Sequence, residues 1–200
     1  MRDLPGGGKE VIVSSQGMGV AGFDFNTGTQ NWLLPDVMKQ RTIVSPIHVL
    51  SGDECLVAVG CKSGTYFALR PPSEKGSDPK IVWKMKGNTP YVPTPVSDGK
   101  MLYAVSDGGV LSALDAKSGQ KKWEQKLMGN FYASPLIAGG KLYSLSREGE
   151  MIVAEVGNAY REISRTSLEL GDAKWADATP AIAHGNLYVR IGSRLDCFTK

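Results

Sequence analysis

This chain repeats itself, and the repeat limits what it can fold into. Asp115 and Trp123 stand eight residues apart with Gly119 midway between them. Asp24 and Trp32 have the same spacing, with Gly28 in the same place. A Ser-Pro or Thr-Pro pair recurs as Ser45-Pro46, Thr94-Pro95, Ser134-Pro135 and Thr179-Pro180, with successive prolines 49, 40 and 45 residues apart. A turn signal follows each pair: Gly52-Asp53, Asp98-Gly99, Gly139-Gly140 and His184-Gly185. Gly149 and Ile163 repeat the fourteen-residue spacing of Gly109 and Trp123, which puts Ile163 in the tryptophan slot and Val156 near the aspartate slot. Three markers recurring in one order define a structural unit rather than a local motif.

The most regular copy, residues 99–123, shows what the unit is. Residues 101–105 form an extended apolar run, and Ser106-Asp107-Gly108-Gly109 breaks it with residues that accept the backbone of a tight hairpin turn. Residues 110–115 form a second run. Asp115 and Ser118 can then bond the local backbone in a second turn, and residues 120–127 resume the extended pattern with Trp123 inside it. Short antiparallel strands in units of about 40–45 residues are the blades of a β-propeller. The predicted fold is all-β, one segment over residues 1–200, with about 4–5 four-stranded blades. The blades fall at 10–34 (partial), 42–85, 92–127, 132–168 and 179–198 (partial). Nothing ahead of Gly6 reads as a strand, and the polar, Pro-rich residues 71–79 read as a surface loop. Trp32, Trp83 and Trp123 are expected to lie against a small residue of the adjacent blade, such as Gly22 or Ala113. Asp24, Gly28, Asp115 and Gly119 are turn-formers and are assigned structure, not chemistry.

Composition excludes several classes. An apolar content of 42% with 24 glycines suits a turn-rich globular chain. No apolar run approaches the roughly 20 residues of a membrane helix. The net charge of +3 is mild and scattered, which argues against nucleic acid as a partner. Residues 1–9 lack the apolar core of a signal peptide. Cys55, Cys61 and Cys197 have no metal-site spacing and read as buried small hydrophobes. His48 and His184 read as structural. No Ser-His-Asp arrangement, phosphate loop or zinc pattern is visible, so no catalytic residue and no metal ligand is assigned.

The residues Ala113-x-Asp115-x-x-Ser118-Gly119-x-x-x-Trp123, and Gly22-x-Asp24-x-x-Thr27-Gly28-x-x-x-Trp32, resemble the tryptophan-docking motif of PQQ-like propeller repeats. The second unit departs from it, with Arg70 in the aspartate slot. The resemblance implies a ring of seven or eight blades, of which this chain would be a C-terminal portion with open blade edges able to pair with other chains. It implies a periplasmic or extracellular bacterial location. It also implies one of three roles: quinoprotein dehydrogenase using PQQ and calcium, non-catalytic scaffold, or secreted propeller of unassigned role.

Propeller ligands sit at the mouth of the central channel, on loops that enter the innermost strand and loops that join the second and third. The first set offers Arg41, Tyr91, Phe131, Tyr132, Trp175 and Asp177; the second offers Gln16, Lys62, Asp107, Arg147 and Arg194. Of these, Arg41, Tyr91, Tyr132, Arg147, Trp175 and Asp177 are the candidate ligand-binding residues. Such a ring suits a planar or anionic ligand, or a peptide. The expected function is a non-catalytic module that binds a protein or small ligand at that mouth, with no cofactor. The alternative is the C-terminal part of a dehydrogenase that uses PQQ and calcium.

Overall fold

The computed structural model describes residues 1–4, 7–50, 54–62, 64–74 and 76–199. Five antiparallel sheets follow one another along the chain. The first blade is β1 (Arg2–Asp3), β2 (Lys9–Ser15), β3 (Gly19–Asp24) and β4 (Gln30–Leu34). The second is β5 (Ile47–Leu50), β6 (Leu56–Cys61), β7 (Thr65–Arg70) and β8 (Lys80–Lys84). The third is β9 (Val96–Ser97), β10 (Met101–Val105), β11 (Val110–Asp115) and β12 (Lys121–Lys126). The fourth is β13 (Leu136–Ala138), β14 (Lys141–Leu145), β15 (Glu150–Glu155) and β16 (Glu162–Ser167). The fifth has β17 (Ala181–Ala183), β18 (Asn186–Ile191) and β19 (Arg194–Phe198). Among the described residues no α-helix forms. The expected Gly52-Asp53 turn lies outside the described residues.

No blade owns a core. The four apolar clusters are the four junctions between blades. Ile12, Val20 and Trp32 of the first blade pack on Val57, Val59, Phe67 and Leu69 of the second. Leu56, Ala58 and Trp83 pack on Leu102, Ala104 and Leu114 of the third. Tyr103, Leu111 and Ala113 pack on Leu142 and Ile152, and Leu145 and Met151 pack on Val189 and Ile191. Middle strands are therefore covered on both faces, so β6 and β10 are buried along their whole length. The outer strand β16, with one edge in water, is exposed throughout. This explains why LVAVGC and MLYAV are apolar runs, while EISRTS carries alternate charge and hydroxyls.

The turns form as their residues dictate. Asp115 Oδ1 accepts the Ser118 amide at 2.9 Å and its hydroxyl at 2.7 Å. Those bonds, led by the Ser118 hydroxyl, hold the Asp115 carboxyl below the usual aspartate range. Asp24 accepts from Asn26 and Thr27 in the same way. The indole N–H of Trp83 donates to Ala116 O in the next blade at 3.1 Å. That of Trp123 donates to Gly157 O at 2.9 Å.

Five expectations need correcting. Cys55 and Cys61 are buried as expected, but Cys197, on the three-stranded fifth blade, is exposed. Arg2–Asp3 is a strand: it pairs with Lys9 and Glu10 and completes the first blade. Two residues are too few to show a pattern, and the strand is held by a buried ion pair, Arg2 Nε to Glu10 Oε2 at 2.8 Å. Ile163 is not in the tryptophan slot. A one-residue insertion in the β15–β16 turn moves the register, so Ser164 pairs with Val153 as Trp123 pairs with Ala113, and Ile163 is exposed. Glu155, not Val156, takes the aspartate slot: it follows Gly149 by six residues as Asp115 follows Gly109, ahead of the inserted residue, and it pairs with Lys141 as Asp115 pairs with Met101. Finally, the small residues Gly22 and Ala113 face the tryptophan of their own blade. The residue that meets Trp83 from the neighbouring blade is the turn glycine Gly119, where a Cβ would lie 2.6 Å from the indole ring.

Candidate functional site

Alternation of strand direction brings the loops entering each blade and the loops between second and third strands to one end of the sheets. Backbone bonds fasten the two sets together. Lys62 N donates to Arg41 O, Phe131 N to Asp107 O, Arg147 N to Asn130 O, and Ala176 N to Arg147 O, all at 2.8–2.9 Å. The Ser/Thr-Pro marker has a role here that spacing alone does not reveal. Ser45 N donates to Thr94 Oγ1 (3.1 Å), Thr94 N to Ser134 Oγ (3.0 Å) and Ser134 N to Thr179 Oγ1 (3.0 Å). The third, fourth and fifth blades thus each lend a hydroxyl to the backbone of the blade before, in a belt along this end of the sheets.

Four of the six candidate residues meet in one cluster. Arg147, on the loop after β14, is held by both oxygens of Asp177, Nε to Oδ1 at 2.7 Å and Nη2 to Oδ2 at 3.1 Å. Its guanidinium lies 3.9 Å from the centre of the Tyr132 ring and 4.6 Å from that of Trp175. The Asp177 hydrogen bonds raise the Arg147 pKa further above an already high value, so the cation is permanent. Two parallel N–H···O bonds and two ring faces leave the guanidinium a single orientation. Tyr132 and Trp175 remain 40% and 37% exposed, enough to present their outer faces to a partner.

The other two candidates stand apart from that cluster. Tyr91 is fixed through its backbone N–H to Asp107 Oδ1 (3.2 Å), with Lys62 Nζ 5.9 Å from its ring centre. The Arg41 side chain is exposed, and its structural contact is the carbonyl given to Lys62. Asp107, whose Oδ1 also accepts from Val92 N, is a loop anchor. Sequence reasoning missed Glu148, which receives the Asn130 backbone and side-chain N–H groups at 3.0 and 3.1 Å. Its position directly after Arg147 on a mouth loop was the available signal.

Stacked antiparallel blades, joined by apolar junctions and a hydroxyl belt, define a β-propeller. Among solved structures the chain is similar to BamB from Moraxella catarrhalis, at 17% identity and TM-score 0.69, covering 94% of this chain and 56% of that one. It is similar to the Cps50 (Swd1) β-propeller domain from Myceliophteria thermophila, at 10% identity and TM-score 0.71, covering 98% and 68%. It also resembles Sqt1 of Saccharomyces cerevisiae, at 11% identity and TM-score 0.74, covering 94% and 55%. At such identities the likeness is one of fold, and the chain spans just over half the length of the BamB structure. No curated protein sequence matches it significantly. The family model described as outer membrane protein assembly factor BamB matches residues 75–193, and the chain belongs to that PQQ-like propeller family.

Proposed function

We propose that this chain is part of a non-catalytic propeller that binds a protein partner at its channel mouth, with the Tyr132–Arg147–Trp175 stack at the centre of the contact. The observation that carries this is the immobilised guanidinium between two half-exposed aromatic rings. Arg, Tyr and Trp dominate binding hot spots because they offer large area at small entropic cost once held still. Exposed Ile43 and Met128 lie on loops of the same end, and aromatic residues, Met and Arg are the types enriched at interface cores. The tryptophans Trp32, Trp83 and Trp123 serve in this reading as locks between blades. The family description supports, as part of this reading, a periplasmic setting and a partner within the outer-membrane assembly machinery.

The same geometry supports a reading without PQQ or calcium. Calcium needs several free oxygen ligands, yet Asp177 is engaged by Arg147 and Asp107 by two backbone amides. These residues do not fit the group.

The test is biolayer interferometry against the purified soluble domains of the outer-membrane assembly machinery from the same bacterium. Trp175→Ala and Tyr132→Ala should each weaken binding at least tenfold. Variants that bind as tightly as the parent would remove the mouth from the interface, and no binding by the parent would remove this partner. Adding PQQ and calcium should give no bound quinone spectrum.

A further inference from the structure

At the end of the sheets opposite the mouth lies a cleft of about 1020 Å³, between β1 and residues 71–73 and 77–78. It goes beyond the reading above and does not depend on it. Three departures of the second blade from its sisters converge there. The third strand of a full blade ends in an acid: Asp24, Asp115 and Glu155 for β3, β11 and β15. In the second blade it ends in Arg70. Where the other blades make a short turn, this one carries residues 71–79, which wall the cleft with Pro71, Pro72, Ser73, Ser77 and Asp78. Beyond that segment the chain returns with Lys80, which pairs directly across from Arg70 and lines the same cleft.

Two cations opposite one another on adjacent strands repel. Among the described residues neither is in an ion pair. The acid whose carboxyl feels Arg70, Glu54, is bonded to Lys117. Asp3 and Asp78 also line the cleft, but Asp3 faces Lys9 at 3.9 Å. Arg2 is taken by Glu10 and by Pro72 O, which fixes one wall. A charge reversal at a repeat-equivalent position, doubled by a second cation across the strand pair, leaves Arg70 and Lys80 outside any ion pair among the described residues, with Asp78 the one further acid of the cleft against the two of them.

We propose that this cleft binds a small-molecule oxyanion, a phosphate or a carboxylate, seated between Arg70 and Lys80. The planar guanidinium takes two oxygens of such a group, and the ammonium contributes a point charge. Serine hydroxyls at 73 and 77 add neutral donors.

The test is titration of the whole chain with inorganic phosphate and, separately, with succinate, in low-salt buffer, followed by backbone amide shifts. Saturable binding of at least one anion is expected, with shifts confined to residues around the cleft. Phosphate alone, succinate alone or both would name the oxyanion. Arg70→Asp, which restores the acid of the other blades, and Lys80→Gln should each weaken it at least tenfold; both side chains are exposed, so the fold should survive. Lys141→Gln, in the fourth blade, should change nothing. Absence of saturation with both anions, unchanged affinity in the Arg70 and Lys80 variants, or equal weakening by Lys141→Gln would overturn the proposal.

Discussion

Gly119 and Gly28 occupy the same place in two copies of one turn, with φ of 70° and 68°. Their surroundings differ. A Cβ on Gly119 would meet the Trp83 ring, whereas one on Gly28 would meet nothing within 4 Å. Both substitutions to Ala cost backbone strain of about 1–2 kcal/mol. Gly119→Ala adds a steric clash and should be the more destabilising by at least ~1 kcal/mol in urea unfolding. Equal losses would show that the turn glycine does not matter to the blade contact. Two tyrosines give a second contrast. Tyr66 is buried with no hydrogen-bond partner among the described residues, and burial drives its pKa upward. Tyr103 accepts the Gly157 N–H at 2.7 Å. Tyr66→Phe should therefore be neutral or stabilising, while Tyr103→Phe leaves a partly buried amide without its partner and should cost about 1 kcal/mol. Thermal melts of the two variants settle the comparison.

At the scale of elements, the hydroxyl belt makes its own forecast. Ser134→Ala removes an acceptor from Thr94 N and should lower stability by about 1 kcal/mol, with amide exchange rising first at Thr94. A stability loss with no local change in exchange would count against the belt. The marker was legible because Ser-Pro and Thr-Pro are rare enough to stand out at regular spacing, but its purpose needs two blades placed side by side. Turn chemistry is local, so Asp24-to-Trp32 and Asp115-to-Trp123 could be read directly. The fourth blade could not be, because counting residues fails when a turn gains one. The innermost strand of the first blade escaped notice because its stability comes from Glu10, which gathers Arg2 (2.8 Å), Asn31 and Trp32 (2.9 Å each). Trp32 lacks the kind of neighbouring-turn carbonyl that Trp83 finds at Ala116, since the 71–79 segment replaces that turn. At the mouth, sequence gave the residue types of the Arg147 cluster. Its bidentate closure depends on two loops some thirty residues apart, and no spacing rule reports that.

For the whole molecule, the placement of the cores decides how it unfolds. Leu102 is fully buried in the junction of the second and third blades. Leu102→Ala should cost about 2–5 kcal/mol and loosen both blades together, since each is the other's interior. Hydrogen exchange that opened the third blade alone would contradict this.

The belt also bears on how such chains lengthen. Every one of its bonds runs from the backbone of one blade to the hydroxyl of the next. Splicing a further unit between two neighbours would therefore break one bond and make two, with the same bookkeeping at each apolar junction. An architecture of this kind can gain copies by gene duplication without redesign of those already present, leaving individual units, like the second one here, to drift toward separate tasks.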